Sequence, residues 1–176
     1  MQATIMIKVL LRRQRPLFAP YYSRTLCAIL KARKDYDYQS HMVSALEEVS
    51  EDIVTSCNPI DGIDPILTLI EAEEAASGNQ TTCMGLYVLG SLLHNIPQHR
   101  AALTEEQKTR LGKLAVRCLN ANDPVLRRAV VQLCLELYDL LHASFWPLVS
   151  KVTEDHQSLL TYYIAKREKE GAGPIL

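Results

Sequence analysis

Residues 120–141 read NANDPVLRRAVVQLCLELYDLL, a polar turn that stops at an Asp-Pro pair and then runs into an almost wholly apolar stretch. Asp123 can accept hydrogen bonds from the first unpaired backbone N–H groups of a helix. Pro124 suits the first helical position because it has no N–H to leave unsatisfied. A helix therefore starts here, and its apolar residues recur at the helical period.

The same punctuation recurs to either side. Asp64-Pro65 repeats the start signal, Asn58-Pro59 and Ile96-Pro97 follow helix ends, Thr104-Glu-Glu-Gln107 has the form of a capping box, and Ser77-Gly78-Asn79 is a stop. No stretch alternates apolar and polar residues over strand length. The chain reads as all-α, with nine helices over Gln2–Arg13, Pro20–Ala32, Ser40–Ser56, Asp64–Ala75, Thr81–Asn95, Thr104–Leu119, Pro124–His142, Phe145–Val152 and Asp155–Lys169.

From the second helix onward these fall into short-loop pairs. First members begin near Pro20, Ile63, Thr104 and Phe145, and second members near Ser40, Thr81, Pro124 and Asp155, a spacing of roughly 40 residues that suits HEAT or armadillo helix pairs. Only the last pair is shortened. The second members MVSALEEVSEDIV, CMGLYVLGSLLHNI and VLRRAVVQLCLELY each place a small residue early, Ala45, Gly85 and Ala129, where neighbouring helices can approach closely. The expected architecture is a HEAT/armadillo-like α-solenoid of four helix pairs plus one leading helix. In it Asp123, Pro124, Arg127, Arg128 and Ala129 form a repeat signature, with Asp123 and one of the two arginines tying one repeat to the next. Gln2–Arg13 resembles a second member without its first, so the chain is expected to begin inside a repeat of a longer protein. Ile5, Ile7 and Val9 would then lie at an open edge unless they turn inward. Residues 1–170 are expected to form one domain and GAGPIL, 171–176, a flexible tail.

Length and composition agree with this. A chain of 176 residues, 48% apolar and 22% charged, can bury a core of its own without staples. The five cysteines, Cys27, Cys57, Cys83, Cys118 and Cys134, are odd in number, widely spread and set in apolar helical patterns. They read as buried, reduced thiols of a reducing compartment. The start MQATIMIKVLLRRQ has too short an apolar stretch to span a membrane and no small-residue cleavage site, so a cytosolic chain without membrane contact is expected.

Net charge is −1, but it is distributed unevenly. Residues 1–40 carry Lys8, Arg12, Arg13, Arg15, Arg24, Lys31, Arg33 and Lys34 against Asp35 and Asp37, whereas residues 41–80 hold nine acidic residues and no lysine or arginine. Such asymmetry points to charge-steered contact with proteins, against a plain reading of solvated helix faces. The candidate partner-binding residues are Arg12, Arg13, Arg15, Arg24, Arg33 and Lys34, with Tyr36 and Tyr38 of the DYDY loop beside them.

Motifs that carry chemistry are missing from the sequence. Its seven glycines make no phosphate-cradling loop, its five histidines have no metal-ligand spacing, and Ser91 sits inside a helix without the strand and elbow of a hydrolase nucleophile. No catalytic, cofactor-binding or metal-binding residue is assigned. The N-terminal arginines lack accompanying base-stacking aromatics, so nucleic acid is not an expected partner.

The succession LLRRQRPLF, ALEEVSEDIV, NDPVLRRAVVQLCLELYDLL and LLTYYIAKRE, ending in a tyrosine-containing basic helix at Leu159–Lys169, resembles the C-terminal domain of the CLASP proteins, microtubule-regulating proteins, in a fungal-type version. The likeness covers nearly the whole chain. It implies a TOG-like HEAT array that is not an enzyme and that docks microtubule-associated adaptors, kinetochore or spindle proteins. The implied location is cytoplasm and cytoskeleton, mitotic spindle and kinetochore, or nucleus where mitosis is closed. Tubulin-binding TOG domains present a tryptophan on the first intra-repeat loop and basic residues on successive ones. Here only the Arg33–Gln39 loop is basic, and the lone Trp146 reads as a wedge that sets the final repeat into the core. A partner-docking module is therefore favoured over a tubulin-binding one, with homodimerisation as a further alternative.

Overall fold

A computed structural model of the chain describes residues 2–37, 40–73, 79–97 and 103–171, and among these no residue is in a strand. Its helices are α1 Gln2–Arg13, α2 Arg15–Phe18, α3 Tyr22–Ala32, α4 His41–Val54, α5 Pro59–Glu73, α6 Gln80–His94, α7 Glu105–Asn120, α8 Pro124–Leu141, α9 Phe145–Leu148 and α10 Glu154–Glu170. Short 3₁₀ turns lie at Ala19–Tyr21, Arg33–Asp35 and His142–Ser144. Expectations for Tyr38, His99, Ala75, the Ser77-Gly78 part of the stop signal and residues 172–176 of the tail lie outside the described residues.

The fold is all-α and HEAT-like, and it forms two compact units, Met1–Leu103 and Thr104–Leu176. In the first, α3 pairs with α4 and α5 with α6. Across pairs α3 packs on α5, while α4 packs on both α1 and α6. First members thus stack on first members and second on second, and α1 takes its place in the second-member layer as its sequence suggests. The second unit repeats this rule, with α7 against α8, α7 against α9 and α8 against α10.

Local chemistry sets the helix starts. Thr104 Oγ1 accepts from Gln107 N at 3.1 Å and the Gln107 side chain accepts from Thr104 N at 3.1 Å, a complete capping box that opens α7. Asp123 Oδ1 accepts from Val125 N at 2.8 Å and Leu126 N at 3.1 Å, with Pro124 at the first position of α8. Ser40 caps α4 through Met42 N.

One start differs from its expectation. α5 begins at Pro59, not at Asp64, and Pro65 lies inside it. Asn58-Pro59 offers a start of the same kind earlier, and the apolar series Ile63, Ile66, Leu67 and Ile70, all fully buried, runs through Pro65 without a break. Burying that stripe outweighs the single backbone bond the proline removes, since each such side chain contributes about 1.5–3 kcal/mol. Two further differences are small. The RPLF segment forms the short α2, and α9 ends at Leu148, short of Val152.

Close approach is visible where small residues were expected to allow it. A Cβ on Gly85 would stand 2.7 Å from Ile70 Cδ1 of α5, and Ala129 is fully buried. Phe145 is also fully buried and meets Tyr138 and Trp146 edge-on at 5.9 and 5.4 Å, so Phe145-Trp146-Pro147 wedges the last pair onto α8. The apolar residues of α1 do not all turn inward: Ile5 is 56% exposed and Val9 46%.

Candidate protein-contact surface

α1 ends in Arg12 and Arg13, cations that suit the partial negative charge of a helix C-terminus. Both are exposed. After Gln14, Arg15 opens α2, with Pro16 in its first turn. Its Nη2 donates to Ser56 Oγ at 2.9 Å, and that hydroxyl in turn donates to the Asp52 carbonyl at 2.7 Å. Thr55 Oγ1 serves the Glu51 and Asp52 carbonyls likewise, so two hydroxyls finish the end of α4 and one of them holds the guanidinium. Around this point lies a cleft of about 330 Å³ lined by Leu11, Arg12, Arg15, Asp52, Thr55 and Ser56.

Beyond it the chain carries large apolar side chains outward. Leu17 is 70% exposed and Tyr21 54% exposed, and the exposed Arg24 stands one turn after Tyr21. Arg12, Arg13 and Arg24 have no ion pair among the described residues. One stretch of chain, residues 12–24, therefore presents four arginines with a leucine and a tyrosine among them. The chemistry suits an acidic segment that also carries an apolar anchor, because tyrosine and arginine give the largest contact energies at protein interfaces. Leu17 and Tyr21 were not singled out from the sequence, although RPLFAPYY, too short and proline-broken to bury both faces, carried the signal.

The other expected contact residues do not gather here. Arg33 is only 3% exposed and donates through Nη1 to the Tyr36 carbonyl at 2.7 Å. It closes its own loop and is withdrawn from the surface, a correction to the expectation that it faces partners. A carbonyl three residues on takes one N–H of the buried guanidinium in a charge-assisted bond. Lys34 is exposed and Tyr36 half-buried, but they lie past the far end of α3, about 15 Å along the helix from Arg24 at 1.5 Å per residue.

In the repeat signature, Arg127 Nη2 donates to the Ala121 carbonyl at 3.2 Å, within its own interhelical turn, and Arg128 is exposed. A second charged device was not read from the sequence. Arg167 of α10 is 6% exposed, and its Nη2 stands 2.9 Å from both Glu136 Oε1 and Asp139 Oδ2 of α8. Gln132 Nε2 donates to the same Glu136 oxygen at 2.9 Å. The signal was Glu136 inside the apolar run LCLELYDLL, since a buried carboxylate demands a cation. The most basic part of the tyrosine-containing last helix is thus partly spent on packing, while Tyr162 is 62% exposed.

Among the described residues no group of His, Cys, Asp or Glu could hold a metal ion, and no helix is long and apolar enough to cross a membrane. All five cysteines are free. Cys83, Cys118 and Cys134 are buried, and Cys27 and Cys57 are half-buried. Burial raises the Cys134 thiol pKa far above its ordinary value, with the neighbouring Cys118 adding to the shift.

No family model matches the chain. It is 40% identical to protein STU1 of Coccidioides immitis over 172 residues, which are 96% of this chain and 14% of that protein. It is 34% identical over 169 residues to protein stu1 of Aspergillus fumigatus, covering 94% of this chain and 13% of the relative. With protein stu-1 of Neurospora crassa it shares 34% identity over 176 residues, 93% of this chain and 15% of the relative. The chain thus spans only 13 to 15% of the length of these curated relatives.

Proposed function

The chain belongs to the STU1 family, fungal members of the CLASP group, and from that premise we propose that it is a non-catalytic docking module of a microtubule-associated protein. It takes acidic, apolar-anchored segments of adaptors at microtubule plus ends, kinetochores or the spindle. The observation that carries this is the 12–24 stretch, where exposed Arg12, Arg13 and Arg24 flank exposed Leu17 and Tyr21. Packed helix pairs supply the rigid support that such a contact surface needs. The burial of Arg33 weighs against tubulin capture through its loop, which keeps Lys34 as its remaining surface cation.

Affinity capture from a mitotic extract tests the proposal. The wild-type chain should retain microtubule-associated proteins at low salt and release them as salt rises. A variant with Arg12, Arg13 and Arg24 changed to glutamate should retain none of them. Equal recovery on both chains overturns the assignment of the surface.

A further inference from the structure

In the first unit, α4 and α6 face each other across a groove of about 360 Å³. Val54, Met84 and Val88 form its buried floor together with Ser50, whose hydroxyl is turned to the Leu46 carbonyl, and Glu47, Glu51 and Tyr87 stand exposed along its sides. Glu47 and Glu51 are four residues apart on α4, a spacing at which like charges destabilise a helix. Glu51 also lies in the last turn of α4, which holds no basic residue and ends in the negative pole of the helix. Glu48 between them is paired with Lys8, whereas Glu47 and Glu51 have no ion-pair partner among the described residues. No lysine or arginine occurs anywhere in residues 41–80 to supply one locally.

Two carboxylates therefore stand over the floor at a spacing that disfavours both, with Glu51 also at a helix end that disfavours it, beside the exposed ring of Tyr87. We propose that this groove docks an arginine-bearing basic segment of a partner protein, with the guanidinium between Glu47 and Glu51 and against the Tyr87 ring. Arginine fits better than lysine. Its planar fork can meet carboxylates two bonds at a time, its face stacks on an aromatic ring, and its aliphatic stem covers the floor. From Glu47 to Val54 the groove runs about 10 Å, which is room for roughly three extended residues or two helical turns. A segment of that length with an apolar residue beside its arginines fills it. The inference rests on the reading of the chain as a docking module but places a second, acidic site apart from residues 12–24.

The test titrates the whole chain with a fluorescent hexapeptide, GRLARG, and with GELAEG as the control. Expected are saturable binding of the basic peptide, amide shifts confined to α4 and α6, and no binding of the acidic peptide. Glu47→Gln with Glu51→Gln should weaken binding about tenfold or more, as loss of charge-assisted bonds requires, with unchanged helicity showing that the variant is folded. The conservative Glu47→Asp should keep most of the affinity. Absence of binding, equal affinity in the glutamine variant, or a doubled mass that the glutamine variant abolishes, meaning that a second copy fills the groove, each overturns the proposal. The titration makes no use of the arginine surface, so its failure leaves the capture experiment standing, and the reverse holds too.

Discussion

Ser23 Oγ of α3 donates to the carbonyl oxygen of Asp61 in α5 at 3.0 Å. Asp61 is four residues before Pro65, so its carbonyl is the acceptor that the missing Pro65 N–H would have filled. A hydroxyl from the neighbouring first-member helix takes that place and makes a proline tolerable inside a buried helix. Ser23→Ala should cost about 1 kcal/mol. In a Pro65→Ala background, where residue 65 regains its N–H, the same change should cost much less. A urea double-mutant cycle reads the difference, and additive effects would show that the two groups are independent.

That relationship also marks how far the sequence carries. Periodicity and caps place α1, α4, α6, α7 and α8 closely because their signals are local, as in the Thr104 box and the Asp123-Pro124 start. α5 offers two prolines, and the choice between them rests on Ser23 and on the α3 and α6 helices against which Ile63 to Ile70 pack, partners that come from elsewhere in the chain. Arg12, Arg13, Arg15 and Arg24 are legible as surface cations, but Arg33 is not, because nothing in its composition says that the Tyr36 carbonyl turns back to it. The α4/α6 groove was out of reach, since its two sides come together only through helix stacking.

Arg167, Glu136 and Asp139 bind α10 to α8 through buried charge. Arg167→Met removes the guanidinium that pairs with the buried Glu136 and should lower unfolding free energy by about 3 kcal/mol. Replacing both, as Arg167→Met with Glu136→Leu, should restore most of the loss, because the buried charge is then gone. Equilibrium denaturation checks both variants.

Gly112 of α7 faces α9, and a Cβ there would lie 3.0 Å from both Leu148 Cβ and the Leu148 carbonyl oxygen. Backbone cannot step aside as a side-chain tip can. Gly112→Val should therefore cost about 1–3 kcal/mol from overpacking, measured as a drop in the denaturation midpoint.

Cys134 gives the fold an alkaline limit. Burial keeps its thiol protonated in the folded chain, while the unfolded chain releases that proton near the ordinary value of 9.0. Its contribution is thus fully present below pH 9 and is lost progressively as pH rises above it. There the folded state binds the extra proton, and stability falls by up to about 1.4 kcal/mol per pH unit. Cys134→Ala should show a shallower alkaline decline in Tm than the parent chain.

Docking through residues 12–24 is tested most directly by placing a photo-crosslinking amino acid at Leu17 or Tyr21, or at the exposed Tyr162 of the second unit, and irradiating each chain in mitotic extract. Positions 17 and 21 should yield adducts with microtubule-associated proteins, lost when Arg12, Arg13 and Arg24 become glutamate, while position 162 yields none of them. The same adducts from position 162, with none from 17 and 21, would contradict the account.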